Sequence, residues 1–449
     1  MISDSDDENH LEEVKNMSYK FDTVKVRGGY NSRQHNYSVG IPVYATAAFD
    51  FDGFDHFNSL RAGEQLGFLY SRVGNPTVAA LEARVAQLDG GSAAVAFASG
   101  MAAVSNTLLA VSGGNGRILS TKQIYGGTFD LENDVFPSIG VNFDFIDHDS
   151  SIEEWEATIK EDTKAIFVES ISNPSARLLD IEALAEIAHK HQIPLIVDNT
   201  FATPYLFRPL EHGADLVIYS ATKALNGHGN AIGGVVVEGK PFAWTEEKYP
   251  QLFKKYWVAR DLDNNPRSFI EAFPQLPFAA FLRTKYLAYF GAALSPYDAQ
   301  LILIGIETLS ERVSKQVRNA RKIVEYLDSR SDVVSWISYP EHKDSPYKAL
   351  ADKYFPDGAG TVFTFGFKGN DEQINKLIDS IRLFGFQANV GDARSLLINS
   401  PKTTHGELNP EELEAAKIRP ETIRLSIGLE DADDLIDDLE QAFAKALEI

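Results

Sequence analysis

Leu216-Val217-Ile218-Tyr219-Ser220-Ala221-Thr222-Lys223 decides the fold of this chain. Four apolar residues read as a buried strand, and the small polar tetrapeptide after them as the turn that ends it. A second run, Pro194-Leu195-Ile196-Val197, closes on Asp198 in the same manner. One lysine and one carboxylate therefore stand at the ends of two buried strands. A lysine at such a place is desolvated, which frees its amine as a nucleophile. On its own, Ser-Ala-Thr-Lys suits a surface turn or helix start better, because short motifs have many chance matches. The reading rests on what surrounds it.

Working outward, short apolar runs alternate with amphipathic segments. Thr77 to Leu88 reads as a helix ending at Gly90-Gly91, Ala93 to Ala98 as a strand, and Met101 to Val111 as a helix closed by Gly113-Gly114. Asn142–Ile146 and Ala165–Val168 read as strands, Ile181 to His191 as a helix leading to the strand that ends at Asp198. This alternation predicts an α/β fold with parallel βαβ units in a large, doubly wound, mostly parallel sheet. Ile232 to Val237 reads as an antiparallel strand where the alternation stops.

The domain organisation follows from the same pass. Residues 1–16 are acidic with little to bury and read as a disordered leader, with Met17 as an alternative start. Residues 18–65 suit an extended arm. The large domain runs over 66–295, with an aromatic and proline-rich insertion at 240–295 that would shape a cavity mouth. A long helix, Asp298 to Ser329, opens a smaller α+β C-terminal domain over 296–449. Its predicted elements are strands at 333–338, 361–367, 395–399 and 422–427, a helix at 371–384, and a terminal helix over Ala432 to Leu447.

Composition excludes several classes. With 42 basic and 64 acidic residues the formal charge is −22, which disfavours nucleic acid and anionic membranes as partners. No apolar stretch approaches the about 18 residues of a membrane span. The acidic start argues against a cleaved signal, so a cytoplasmic protein is expected. The chain has no cysteine, which removes disulfides, thiolate catalysis and thiolate metal sites. Its ten histidines show no zinc spacing, so no metal is expected.

Ligands of open α/β sheets bind beyond the carboxyl ends of strands. Ser99-Gly100-Met101 opens a helix there, and its backbone N–H groups can hold a phosphate. Tyr125-Gly126-Gly127-Thr128 offers an aromatic ring able to stack on a planar heterocycle. Asn173, after Glu169-Ser170-Ile171-Ser172, can donate to a phenolate oxygen, and the hydroxyls of Ser220 and Thr222 can bind phosphate. A lysine for a Schiff base and a carboxylate for a pyridinium nitrogen complete what pyridoxal 5'-phosphate (PLP) requires.

These stretches resemble the Cys/Met-metabolism family of PLP enzymes. The resemblance runs through Tyr70-Ser71-Arg72-Val73-Gly74-Asn75-Pro76, Ala98-Ser99-Gly100-Met101, Tyr125-Gly126-Gly127-Thr128, Asp198-Asn199-Thr200-Phe201-Ala202-Thr203-Pro204 and Ser220 to Lys223, to Arg424-Leu425-Ser426-Ile427-Gly428. It implies PLP fold type I, the aspartate-aminotransferase-like architecture. It implies Lys223 as the Schiff-base lysine, Asp198 as the pyridinium partner and Tyr125 as the stacking ring, with these three as the catalytic set. Gly100, Met101, Ser220 and Thr222 would hold the phosphate, and Asn173 would join the cofactor set. Tyr70 and Arg72 would reach into a neighbouring subunit's site, so a homo-oligomer is implied, a dimer at least and a tetramer by family habit. Arg424 and Asn389 would bind substrate.

Within the family, three stretches resemble the O-acetylhomoserine sulfhydrylases: His228 to Gly234 with its aromatic insertion, Asn389-Val390-Gly391-Asp392-Ala393, and Thr403-Thr404-His405. That branch implies replacement at the γ-carbon of O-acetyl-L-homoserine by sulfide or a small thiol, giving homocysteine or methionine. Cystathionine γ-synthase and γ-lyase chemistry are its neighbours. Gly127 stands where methionine γ-lyases typically carry cysteine. Asn399 and Lys402 depart from the branch's usual His-Pro.

Overall fold

The computed structural model describes residues 19–406 and 409–448, and the expectations for residues 1–16 and Met17 lie outside them. Seven strands form the large sheet: β1 Ala93–Phe97, β2 Arg117–Thr121, β3 Asn142–Ile146, β4 Thr163–Glu169, β5 Leu195–Asp198, β6 Leu216–Ser220 and β7 Gly234–Glu238. Their order is β1-β7-β6-β5-β4-β2-β3. The run from β3 to β6 is parallel, and β7 lies antiparallel between β6 and β1.

The central strands are apolar throughout because both faces are covered. Along β4, Ile166 and Val168 join one buried cluster while Ala165 and Phe167 join the other. Along β5, Val197 and Ile196 divide in the same way. Helices cross between strands with the expected punctuation. The Pro76–Asp89 helix starts where Asn75 accepts from the Thr77 N–H and stops at Gly90 in the left-handed region. The Gly100–Ser112 helix starts where Ser99 accepts from the Ala102 N–H.

A second sheet holds β8 Val334–Ser338, β9 Val362–Phe367, β10 Leu396–Asn399 and β11 Thr422–Ser426, antiparallel in the order β10-β11-β9-β8. The Asp371–Ser380 and Ala432–Leu447 helices cover it. Residues Ala299 to Val317 pack into the large core, and the small core begins at Ala320.

Three expectations change. β2 is absent from the sequence reading, because Arg117, Ser120 and Thr121 leave it only two large apolar residues. The predicted helix over Asp298 to Ser329 is two helices, Pro296–Ile306 and Leu309–Ser329. The arm is partly helical, over Phe21–Arg27 and Gly53–Ala62, and Lys25 is buried against Ser310 and Glu311. No residue of the insertion, 240–295, lines the cavity at the strand ends described below. Its aromatics pack on one another and on the large sheet, with Trp244 stacked on Phe278 at 5.4 Å and Phe269 edge-on to Phe281 at 5.2 Å. Among the described residues no helix is long and apolar enough to cross a membrane.

Candidate active site

The carboxyl ends of β4, β5 and β6 open into a cavity of about 470 Å³. Ser99, Gly100, Met101, Tyr125, Glu169, Asn173, Asp198, Ser220, Thr222, Lys223, Asn389 and Arg424 all line it. Ten of the twelve residues expected to act therefore meet at one place. Tyr70 and Arg72 do not line it: Arg72 donates to the Ala288 carbonyl at 2.7 Å and lies 5.4 Å from the Tyr70 ring centroid.

Lys223 sits in the turn after β6, where its N–H donates to the Ser220 carbonyl at 3.1 Å. Its Nζ donates to Asn389 Oδ1 at 2.7 Å. Burial, and then the nearby charge of Arg424, hold its amine down at about 8. A lysine so placed has a usable fraction of free amine near neutral pH. Asn389, expected among the substrate-binding residues, lines the cavity and also meets the lysine.

Asp198 ends β5 and accepts the Thr200 N–H at 2.9 Å. Glu169 ends β4 and stands beside it in register. Two buried carboxyls side by side disfavour double ionisation. Burial pushes Asp198 up to about 6. Burial, and then the charge of Asp198, push Glu169 well above the usual carboxylate range.

The opposite wall is built for an anion. Gly100 and Met101 begin a 13-residue helix, so unpaired N–H groups and the positive end of its dipole face the cavity. A Cβ on Gly100 would lie 2.7 Å from Ser220 Cβ and 2.8 Å from Ser220 Oγ, which explains why no side chain stands there. The Thr222 hydroxyl accepts the Gly233 N–H at 3.0 Å and donates to the Gly233 carbonyl at 3.2 Å, holding the turn closed. Thr200 Oγ1 accepts the Ser220 N–H at 2.8 Å and ties β6 to the loop after β5.

Tyr125 is partly exposed over the cavity, and its ring edge rests on Gly127, where a Cβ would lie 2.9 Å from Tyr125 Cε1. Arg424 comes from β11 of the small sheet and is buried. Its Nη1 donates to Asn173 Oδ1 at 3.0 Å and its Nη2 to the Asn389 carbonyl at 3.4 Å. Burial lowers its guanidinium to about 10. Both partners are neutral, so the fork remains available to a carboxylate.

Glu169, Thr200 and Thr404 belong to the site and were absent from the expected set. Thr404 lines the cavity with its hydroxyl 3.0 Å from Nδ1 of buried His405, whose pKa burial and Arg424 lower to about 4. His228 lies outside the lining and its Nδ1 meets the Asn226 carbonyl at 2.7 Å. Asn399 and Lys402 are likewise outside it. Asn399 donates to the Pro420 and Thr422 carbonyls, and Lys402 pairs with Asp371 at 3.2 Å.

A buried acid at a strand end, a lysine of lowered pKa and a glycine-lined helix start suit a ring carrying a basic nitrogen, an aldehyde and a phosphate. The donor set therefore fits PLP. The comparisons agree. A sulfhydrylase (FUB7) of Gibberella moniliformis is 39% identical over 437 residues, spanning 95% of this chain and 98% of its own. An O-acetyl-L-homoserine sulfhydrylase of Corynebacterium glutamicum is 38% identical over 424 residues, 94% of this chain and 97% of its own. A solved chain described as an O-acetylhomoserine (thiol)-lyase of Campylobacter jejuni, carrying N'-pyridoxyl-lysine-5'-monophosphate, superposes with a TM-score of 0.89. Its identity is 35%, over 95% of this chain and 100% of that one. The family model of Cys/Met metabolism PLP-dependent enzymes matches residues 22–444, and this chain belongs to that family.

Proposed function

We propose that this chain replaces the acetoxy group of O-acetyl-L-homoserine with sulfide or a small thiol, releasing acetate and giving homocysteine or methionine. The observation that carries the reading is the meeting of Lys223, Asp198 and Arg424 at one cavity in a chain whose full-length relatives are sulfhydrylases. Bound PLP would supply an electron sink conjugated to the substrate amine.

The chain's own residues do the rest. Gly100 and Met101 N–H groups and Ser220 would hold the phosphate, and Asp198 would hold the ring nitrogen. Tyr125 would cover the ring face, and the Asn173 carboxamide would be a donor for the phenolic oxygen. Arg424 takes the substrate carboxylate in a two-pronged contact. That contact turns the α-hydrogen toward Lys223 Nζ, the one base in the lining on a flexible four-carbon stem. Lys223 removes the α-proton and then serves the β-carbon. The Cγ–O bond breaks and acetate departs. Sulfide or thiol adds at Cγ, and Lys223 returns protons to Cβ and Cα. The sum is O-acetylhomoserine plus hydrogen sulfide to homocysteine plus acetic acid.

The active unit is at least a dimer, in which Tyr70 and Arg72 complete the phosphate site of the neighbouring subunit, working in the cytoplasm. Their exposed position away from their own cavity supports this reading. The test is product analysis. Purified protein with PLP, O-acetylhomoserine and sulfide is expected to yield homocysteine, and Lys223→Ala to lose at least 10³-fold in turnover with an unchanged far-ultraviolet spectrum. Normal turnover in Lys223→Ala overturns the assignment. Turnover of cystathionine or methionine in place of O-acetylhomoserine moves it to the lyases.

A further inference from the structure

We infer that Glu169 is a positioning residue that sets Tyr125 and Asn173, and through Asn173 the fork of Arg424, at their working places. The inference rests on the proposed function for what those three residues bind.

Glu169 Oε1 accepts the backbone N–H of Tyr125 at 2.9 Å, and Oε2 accepts that of Asn173 at 2.8 Å. The two segments approach from different parts of the fold: Tyr125 follows β2 and Asn173 follows β4. One carboxylate thus ties together the residue over the ring and the residue beside it. The tie continues, because Asn173 Oδ1 accepts from Arg424 Nη1 at 3.0 Å. A single line of hydrogen bonds runs from the ring end of the cavity to its carboxylate end.

The carboxyl group is kept there at a cost. Glu169 is only 7% exposed and stands beside Asp198 in register. A second acid at that place disfavours ionisation of the first. A residue serving only to fill space would be apolar there. Both oxygens accept backbone N–H groups, and a carboxyl group, neutral or ionised, offers an acceptor on each oxygen. A glutamine keeps the shape but turns one N–H acceptor into an NH₂ donor facing another donor. Glu169→Gln therefore releases one of the two segments without creating a cavity.

The experiment uses full-length protein in three readouts. Amide hydrogen exchange of the cofactor-free wild type is expected to show protected Tyr125 and Asn173 amides. Glu169→Gln is expected to raise exchange at one or both by tenfold or more. On loading, PLP binds up to about tenfold more weakly, the upper value of one lost hydrogen bond. The circular dichroism of its visible band changes while the far-ultraviolet spectrum does not. Borohydride still fixes pyridoxyl phosphate on Lys223 in both proteins.

Unchanged exchange, affinity and visible dichroism in Glu169→Gln overturn the inference. Wild-type Tyr125 and Asn173 amides that exchange at the free-chain rate overturn it without any variant. A wild type that gives no Lys223 adduct overturns the functional reading, and the exchange result still judges Glu169.

Discussion

Replacing Asn389 by leucine tests the electrostatics of the lysine. Asn389 Oδ1 is the acceptor for Lys223 Nζ at 2.7 Å. A hydrogen bond to an ammonium stabilises by about 1.5–3 kcal/mol, against about 0.5–1.5 kcal/mol for a neutral amine. Loss of the acceptor therefore disfavours the charged form by roughly 1.4 kcal/mol, worth about one pKa unit. Leucine keeps the bulk of asparagine, so water does not replace the lost contact. The amine, now held at about 8, is expected to titrate near 7 in Asn389→Leu. At pH 7 the free-amine fraction rises from about one-tenth to about one-half, roughly fivefold. The assay is labelling of cofactor-free protein by an amine-reactive anhydride between pH 5 and 10. Mass spectrometry of the peptide that carries Lys223 reads the extent. A midpoint that stays in place or moves up refutes the account, and shows that burial and Arg424 govern this lysine without Asn389.

Gly100→Ala places a methyl 2.7 Å from Ser220 Cβ, between a helix start and a strand end that cannot both withdraw. It is expected to lower stability by about 1–3 kcal/mol and PLP affinity by more than tenfold, read by urea unfolding and fluorescence titration; a tightly binding variant would refute the cradle. Lys223→Met removes a buried cation whose pKa falls from 10.5 unfolded to about 8 folded. Below pH 8 the cofactor-free wild type carries the full penalty, up to about 3 kcal/mol, and the penalty is lost as pH rises to 10.5. Wild-type stability relative to Lys223→Met is therefore expected to rise between pH 8 and 10, and a flat difference in urea midpoints over that window counts against it.

What the sequence displays and what it hides divide along physical lines. Lys223 and Asp198 are legible because each closes a run of residues buried on both faces, and a charge at the end of such a run is conspicuous. The Ala432–Leu447 helix is legible because its apolar stripe faces a single buried core, the one it shares with the small sheet. β2 is hidden because Ser120 and Thr121 are polar yet buried, so its pattern resembles a loop. Glu169 occupies the same strand-end position after Val168 that Asp198 occupies after Val197. Its distinction is a bond to an N–H 44 residues away, which no local pattern carries. Asn389 shows the same limit, since its lysine partner lies 166 residues away. The aromatic insertion is ambiguous for a different reason: aromatics line cavities and cover sheets alike, and composition does not separate the two.

The charges of the site share one feature that explains its chemistry. Lys223 and Arg424 are lowered, Asp198 and Glu169 are raised, and burial is the first cause in all four. Groups of both signs are moved toward neutrality, so desolvation outweighs pairing among them. The reason is geometric. Arg424 faces the neutral oxygens of Asn173 and Asn389, Lys223 faces the Asn389 amide, and Asp198 faces a backbone N–H. A site whose own charges paired with one another would have spent their attraction on stability. A carboxylate entering at Arg424 and a basic ring nitrogen entering at Asp198 would each meet an oriented partner held by neutral groups. In such surroundings a charge contact is stronger than the same contact in water. Binding the amino acid and the ring together then relieves two desolvation penalties.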